Sequence, residues 1–463
     1  MTESITEPAR DIPVLAEHDV VVCGGGPAGC AAAIAAARNG ADTLLVEKNG
    51  YLGGATVSQL VCVILSTNAV DFQGIWHEFT AAMDERNAVN LPVQQGDYTY
   101  RGGYDPEIVK HVWDAMLTEA GVRILHHALC AGTVVEEETI RGVIVETKAG
   151  RQAILADRVV DATGDGHVCH RAGVPWEQGV DGKPWAMACT KVFRMGNVDW
   201  NVVEDSAEAR ETAREKLQRA IERGEFDSPV VLNKRPIGYA VRTITHLPPY
   251  RNEHMSVASR VLKVDPLDPF DMTRAEREGR EQARQSAAAV KKCIQGYEDA
   301  YLLDTSNHLG VRSSRRVHGM ERVTDEGALE FHKYDDGIAR SSWDIDVWPA
   351  ESYDAPAVPR QDPEYQKRIE KVKEGEYFDI RYGCLVAEGV DNLLMAGRCI
   401  SASHLAEASL RIQQTCMATG QAAGTAAALS LDAGITPREM DPQKVVTRLE
   451  KDRAEAPDML EDL

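Results

Sequence analysis

Positive charge is scarce in this 463-residue chain: 51 Lys and Arg stand against 72 Asp and Glu, a net charge of −21. That deficit argues against nucleic acid and against an anionic membrane as partners. It leaves room for an anionic substrate, because a local arginine cluster overrides the global field. The ten cysteines never form C-x-x-C, and no Cys or His grouping has zinc or iron–sulfur spacing. No metal site is expected, and free thiols in a reducing cytoplasm are the expected state. Long apolar runs are missing as well. Two long charge-free stretches, Asn49–Val70 and Ile412–Leu431, are interrupted by Gly, Thr, Gln, Ser or Asn, so neither reads as a membrane span. Met1–Glu17 is polar, carries no signal-peptide pattern and reads as a loose leader. There is no internal repeat and no low-complexity tract. A soluble, cytoplasmic protein with two or three domains' worth of core is what these absences leave. The acidic surface is compatible with a homo-oligomer.

The run that organises the chain is Asp19–Lys48, DVVVCGGGPAGCAAAIAAARNGADTLLVEK. Val20–Cys23 suits a buried parallel strand. Gly24, Gly26 and Gly29 follow in G-x-G-x-x-G spacing. The first allows the turn out of the strand, the second lets a pyrophosphate approach the backbone, and the third lets the helix pack close. An alanine-rich helix from Cys30 to Arg38 presents free N–H groups to a phosphate. Thr43–Val46 is a second strand, ended by Glu47, where a carboxylate takes a ribose hydroxyl pair. An acid there, rather than an arginine, argues against a 2′-phosphate. A dinucleotide site is therefore expected.

Asn49–Thr56 carries the pair Gly53-Gly54 and is expected near the pyrophosphate, as an ordinary loop otherwise. Val57–Val70 is expected to run beneath the cofactor. A helix is expected over Gln73–Asn87, a loop over Leu91–Gly103, and a helix from Asp105-Pro106-Glu107 to Ala120. Val122–Leu125, Ala131–Glu137, Thr139–Thr147 and Ala153–Leu155 alternate like small antiparallel strands. Arg158–Asp161 is a buried strand that ends in Ala162-Thr163-Gly164, small enough to pass close to a nucleotide. From Val174 to Arg381 charge and tryptophan rise, and this stretch reads as a substrate-capping domain with helices near Ala207–Arg223 and Thr273–Leu303 and a strand within Ser256–Val264. Leu393–Ala396 returns as a strand. Thr415–Gly424 opens a long helix to about Ala433, and Asp441–Leu463 is a charged helical tail.

GGGPAG, DATGDG and MAGRCIS with ATGQAAGTAAA together resemble the FAD-dependent oxidoreductases of the two-dinucleotide-binding-domain class. More narrowly, with LGVRSSRR and DGIARSSWDIDVW, the chain resembles the bacterial group related to fumarate reductase and succinate dehydrogenase flavoproteins. The resemblance runs from Asp19 to Ala433. It implies an α/β fold: a Rossmann-like FAD domain with a parallel sheet and a small antiparallel insertion (18–60, 104–173 and 383–436), a mixed α+β cap (61–103 and 174–382) and a tail (437–463). It assigns FAD contacts to Gly24, Gly26, Pro27, Ala28, Gly29, Glu47, Lys48, Gly53, Gly54, Ala55, Thr56, Ala162, Thr163, Gly164, Asp165 and Gly397. Arg398 stands where such proteins often have an acid on the ribityl chain, so its side chain is not expected to bond there. In the narrower group a histidine often stands where this chain has Trp348. Thr419, Gly420, Gln421 and Ala422 are expected at the helix end that faces the flavin, where free N–H groups stabilise reduced-ring charge by up to ~2 kcal/mol; close helix packing is the other use of such small residues.

His404 is the expected proton-transfer group and Arg411 the carboxylate anchor, with an Arg411–Glu407 ion pair as the plainer alternative. Arg312, Arg315, Arg316 and His318 form a basic cluster suited to an anionic substrate, with Arg340 in the same set. Pairing with Asp344, Asp346 or other acids is the plainer reading of that cluster. Tyr382 is a packed aromatic or a donor near the flavin. Cys62, Cys189, Cys399 and Cys416 are candidates for a covalent link, although non-covalent FAD is expected. No second G-x-G-x-x-G is present for a nicotinamide. The expected function is hydride transfer between FAD and a small polar organic substrate, with the electron acceptor undetermined. A fumarate-reductase-like activity, an electron-transfer subunit and a structural FAD are the alternatives.

Overall fold

A computed structural model of the protein describes residues 5–67, 73–94, 99–204, 206–240, 252–353 and 363–455. A seven-stranded sheet forms its centre: β1 (Val14–Cys23), β2 (Thr43–Val46), β3 (Arg123–Leu125), β4 (Leu129–Glu136), β5 (Thr139–Thr147), β6 (Gly150–Asp161) and β7 (Leu393–Met395). Their order is β3-β2-β1-β6-β5-β4, with β7 also on β6. Strands β3, β2, β1, β6 and β7 run parallel, and β4 and β5 form the antiparallel extension. The fold class is therefore α/β with a mostly parallel central sheet.

β6 joins the two halves. Its first residues pair antiparallel with β5, and its last three pair parallel with β7. The expected short strand Ala153–Leu155 and the buried strand Arg158–Asp161 are one element, because β1 supplies an unbroken partner (Glu17 to Leu155, Cys23 to Asp161). That pairing also starts β1 at Val14, inside the stretch expected to be a loose leader. Val122–Leu125 is corrected too: β3 lies parallel to β2 (Leu44 to Arg123) and belongs to the parallel half of the sheet.

Two further expectations change. Leu91–Gly103 is not a loop: Val89–Gln94 and Thr99–Tyr104 are antiparallel strands, and Val63–Thr67 pairs on the other side. Gly102-Gly103 breaks the alternation that marks a strand, and the pairing is supplied by the distant partner. The helix expected at Thr273–Leu303 spans Pro269–Cys293, because Asp268 caps Phe270 and Asp271 and because Ile294 turns extended. Tyr301–Thr305 is a strand. The end of Val57–Val70 and the last eight residues of the tail lie outside the described residues.

Helix α1 (Pro27–Arg38) crosses α3 (Gln413–Asp432) at backbone distance. A Cβ on Gly420 would lie 2.1 Å from the Ala28 carbonyl oxygen, and one on Gly424 would lie 2.0 Å from that of Ala32. The alanines of both helices allow that approach and fill a core shared with Val20–Cys23 and Leu393–Met395. The stretch expected to form one cap contributes to several hydrophobic clusters. Phe193, Leu217, Val231, Val290 and Tyr297 belong to a separate one. Val317, Phe331, Ile338, Phe378 and Ile380 join the central core.

Candidate functional site

The glycine turn separates packing from binding. Gly24 has φ +104°, and a Cβ there would sit 2.5 Å from the Ala162 oxygen. A Cβ on Gly29 would sit 1.8 Å from the Gly24 oxygen. These two glycines are required by the chain itself. Gly26 is not: its nearest neighbour is the Gly54 Cα at 3.8 Å. The space in front of Gly26 is what a pyrophosphate needs. Gly26 also caps α1 with no side-chain bond, and Pro27 follows with no acid in the first turn. The N–H groups there stay available for an anion. The Gly53–Thr56 loop closes on this turn, since Gly53 N donates to the Gly25 oxygen at 2.8 Å.

At the end of β2, Glu47 is buried. Its Oε2 accepts from Gly25 N at 2.7 Å, and its Oε1 accepts from Asn49 N and Nδ2, both at 2.8 Å. Glu47 and Lys48 share a cleft with Gly24, Thr163, Ala128, Leu129, Cys130 and His167. Sequence reasoning missed the last four. They come from the start of β4 and from a short helix after β6, and only the sheet order brings them beside Glu47.

Arg398 reaches back to Asp165. Its Nη2 donates to Asp165 Oδ1 at 2.6 Å and its Nη1 to Ser314 Oγ at 3.0 Å, while the Ser314 hydroxyl donates to the same carboxylate at 2.7 Å. Burial alone raises the Asp165 carboxyl, but the Arg398 guanidinium and the Ser314 hydroxyl outweigh it and hold the group well below the usual carboxylate range. Ala162 is buried, and Thr163 Oγ1 donates to Asp161 at 2.7 Å.

Thr419–Ala422 require correction. Helix α3 begins at Gln413, so these residues lie in its second and third turns rather than at its end. Thr419 Oγ1 donates to the Cys416 oxygen and accepts from Gly397 N; Gln421 Oε1 accepts from Ile75 N. Gly420 packs on Ala28, and Ala422 is fully buried. The open helix end is Gln413-Gln414-Thr415, preceded by Ile412, which gives no side-chain cap. Thr56 Oγ1 donates to Gln413 Oε1 at 2.5 Å, tying this end to the Gly53–Thr56 loop.

On the substrate side, helix α2 (His404–Leu410) is held by Asp325, which accepts from Leu405 N and Ala406 N at 2.9 and 3.1 Å. The expected Arg411–Glu407 pair does not form. Arg411 Nη2 donates to the Asp346 carbonyl at 2.6 Å and to its carboxylate at 3.2 Å. Burial, then Arg316, push His404 below the ordinary histidine value, so the ring is neutral at pH 7.

The basic cluster divides. Arg316 is bound to Glu177 at 3.1 Å and to the Gly179 oxygen. Arg315 contacts the Asp165 oxygen and the Trp176 ring, and His318 lies beside Glu388. Arg312 has no carboxylate within ion-pair distance among the described residues, and it lies against Trp348. Its Nη1 donates to the Ala188 oxygen at 2.6 Å and its guanidinium lies 4.6 Å from the Trp348 ring centre. Burial, then neighbouring Arg411, push it down, yet it stays charged. Arg235 also stacks on Trp348, at 4.7 Å. Arg340 is removed from the set: it is 53% exposed, on an edge strand, beside Asp379 and the Tyr377 ring. Tyr382 is a packed aromatic that donates to the Pro437 oxygen. The thiols of Cys62, Cys189, Cys399 and Cys416 are all pushed up by burial, Cys189 and Cys416 to about 12, so none is an activated nucleophile. Among the described residues no group of His, Cys, Asp and Glu fits a metal ion, and no helix is long and apolar enough to cross a membrane.

The chain is 30% identical over 164 residues to thiamine thiazole synthase of Aeropyrum pernix, covering 33% of this chain and 57% of that one. It is 35% identical over 156 residues to digeranylgeranylglycerophospholipid reductase 1 of Methanopyrus kandleri, covering 32% and 40%. The aligned stretches thus span about half the length of these relatives. A solved structure of a geranylgeranyl bacteriochlorophyll reductase-like protein from Thermoplasma acidophilum aligns with TM-score 0.44 and 12% identity, over 94% of this chain and 83% of that one. The model of the FAD dependent oxidoreductase family matches residues 19–449. With an uncrowded backbone at Gly26, a buried acid at Glu47 and a family match over nearly the whole chain, this protein belongs to the FAD dependent oxidoreductases.

Proposed function

We propose that this enzyme exchanges hydride between FAD and a small polar organic substrate that carries an anionic group. The observation that carries the reading is Arg312. In a chain of net charge −21, its guanidinium is partly buried, stacked on Trp348 and left without a carboxylate within ion-pair distance among the described residues. A buried cation in that state calls for an anion. FAD, non-covalently bound, supplies the hydride acceptor or donor at its N5. Arg312 and Arg411 orient the substrate's anionic group, and neutral His404 takes the proton that leaves oxygen or nitrogen during dehydrogenation. The open end of α3 at Gln413 faces the same region and offers N–H groups to negative charge.

The lowered guanidinium at Arg312 also favours a second reading, reduction of an activated alkene acid with arginine as proton donor. One anaerobic experiment separates the two. The dithionite-reduced holoenzyme is mixed with fumarate, and the oxidised holoenzyme with a panel of 2-hydroxy acids and amines. Bleaching by a panel member supports dehydrogenation. Recovery of the oxidised spectrum with fumarate supports the alkene reductase. If neither occurs with any anion, the anionic-substrate reading is wrong.

A further inference from the structure

His404, Glu407 and Arg411 occur at i, i+3 and i+7, so α2 and the residue that ends it present all three on one face. Each carries a buried polar atom that makes no hydrogen bond: His404 Nδ1, Glu407 Oε1 and Arg411 Nε. Native proteins rarely leave such atoms unpaired, and three on one stripe mark a place where a ligand completes the bonding. Glu407 is the member that no sequence signal assigned to chemistry. It is 1% exposed. Its Oε2 accepts from Ser313 Oγ at 2.7 Å and faces Arg316 Nη1 at 3.6 Å, which leaves Oε1 as the free position.

We propose that Glu407 is the third substrate contact of this face and donates a hydrogen bond through Oε1 to an oxygen of the bound anion. This rests on the anionic-substrate reading above. The charged and titratable groups around the carboxyl are Arg316 and Ser313 from the cap, Arg398 after β7, and His404 and Arg411 from its own element. Burial pushes the Glu407 carboxyl up against the pull of those arginines, the direction that favours the proton the bond needs. Arg411 Nε–H and Glu407 Oε1–H then clasp one anionic group while His404, one turn away, stays free to move a proton. The face suits a carboxylate whose neighbouring carbon bears O–H or N–H.

The test uses oxidised holoprotein labelled with 13C-glutamate and titrated with oxalate. Binding is read from the flavin absorption band, and protonated carboxyls from infrared difference spectra. A protonated glutamate C=O band is expected in the wild type, shifting with oxalate and absent in E407Q. E407A is expected to weaken oxalate about tenfold, the cost of one hydrogen bond to a charged group, and E407D to recover part of the loss. Wild-type affinity falls as pH rises and Glu407 ionises, whereas E407Q is flat over the same range. If oxalate perturbs the flavin but leaves the band unmoved, Glu407 is not a contact and the anionic-substrate reading stands. If oxalate does not bind the wild type, both fall. Should E407Q fail to fold, the labelled wild-type band decides alone: a shift supports the contact and no shift overturns it.

Discussion

Arg398 donates to Asp165 at 2.6 Å, joining the segment after β7 to the segment after β6 across 233 residues of chain. The bond locks the Gly164 and Gly397 segments of the proposed cofactor site together. Removing one partner strands the other in a partly buried position. Arg398→Ala is therefore expected to cost about 2 kcal/mol, measured by urea unfolding. The folded Asp165 carboxyl lies below its unfolded value. Its contribution is thus complete above about pH 4 and is lost as pH falls through the folded value. The wild type and Arg398→Ala should converge in stability on acidification.

Gly26 and Gly29 predict opposite failures. A Cβ at Gly29 meets the Gly24 oxygen at 1.8 Å, so Gly29→Ala should destabilise the apoprotein by about 3 kcal/mol or more. A Cβ at Gly26 meets nothing closer than 3.8 Å. Gly26→Ala should leave apoprotein melting nearly unchanged and lower FAD affinity at least about tenfold, because the methyl occupies the pyrophosphate's place. Calorimetric melting and fluorescence titration with FAD separate the two.

Arg312→Ala should raise KM for an anionic substrate about a hundredfold, the worth of about 3 kcal/mol of charged hydrogen bonding. Arg340→Ala is the control. Its side chain is exposed beside Asp379, and surface pairs contribute little. Its steady-state constants should match the wild type within about twofold. A large KM effect at Arg340 would reverse the assignment.

His404 is neutral at pH 7 because burial and Arg316 disfavour its charged form. For dehydrogenation the neutral ring is the active form. The rate should fall on acidification through a value below the ordinary histidine range and be level at neutral pH. His404→Ala should lower kcat about a hundredfold and abolish that acid limb while FAD stays bound. A limb that persists in the variant would assign the proton transfer elsewhere.

The strand–turn–helix–strand unit of the proposed site was legible in local spacing. Gly24, Gly26, Gly29 and Glu47 are read from one strand–turn–helix–strand unit, where neighbours in sequence are neighbours in space. The start of α3 was not legible, because Ile412 carries no capping side chain and the small residues Thr419–Ala422 look like a helix end. They are small because α1 crosses there. The strands at Val89–Gln94 and Thr99–Tyr104 were hidden by two glycines, and the distant Val63–Thr67 decides their pairing. The basic cluster was visible as composition, but which arginine is spent on Glu177 and which is left for an anion depends on where the acids fold back.

By itself, the sequence determined the glycine turn of this protein and the strands and helix around it. Tight turns, helix starts and buried strands are local consequences of glycine, alanine and β-branched spacing. Tertiary structure alone decided which charged side chains are paired in the half proposed to carry the chemistry. It set Arg398 on Asp165, left Arg312 without an acid, and placed Glu407 between His404 and Arg411 with one oxygen unbonded. A side chain's charge partner is a matter of distance in space, and residues hundreds of positions apart meet only once the sheet and its caps are assembled.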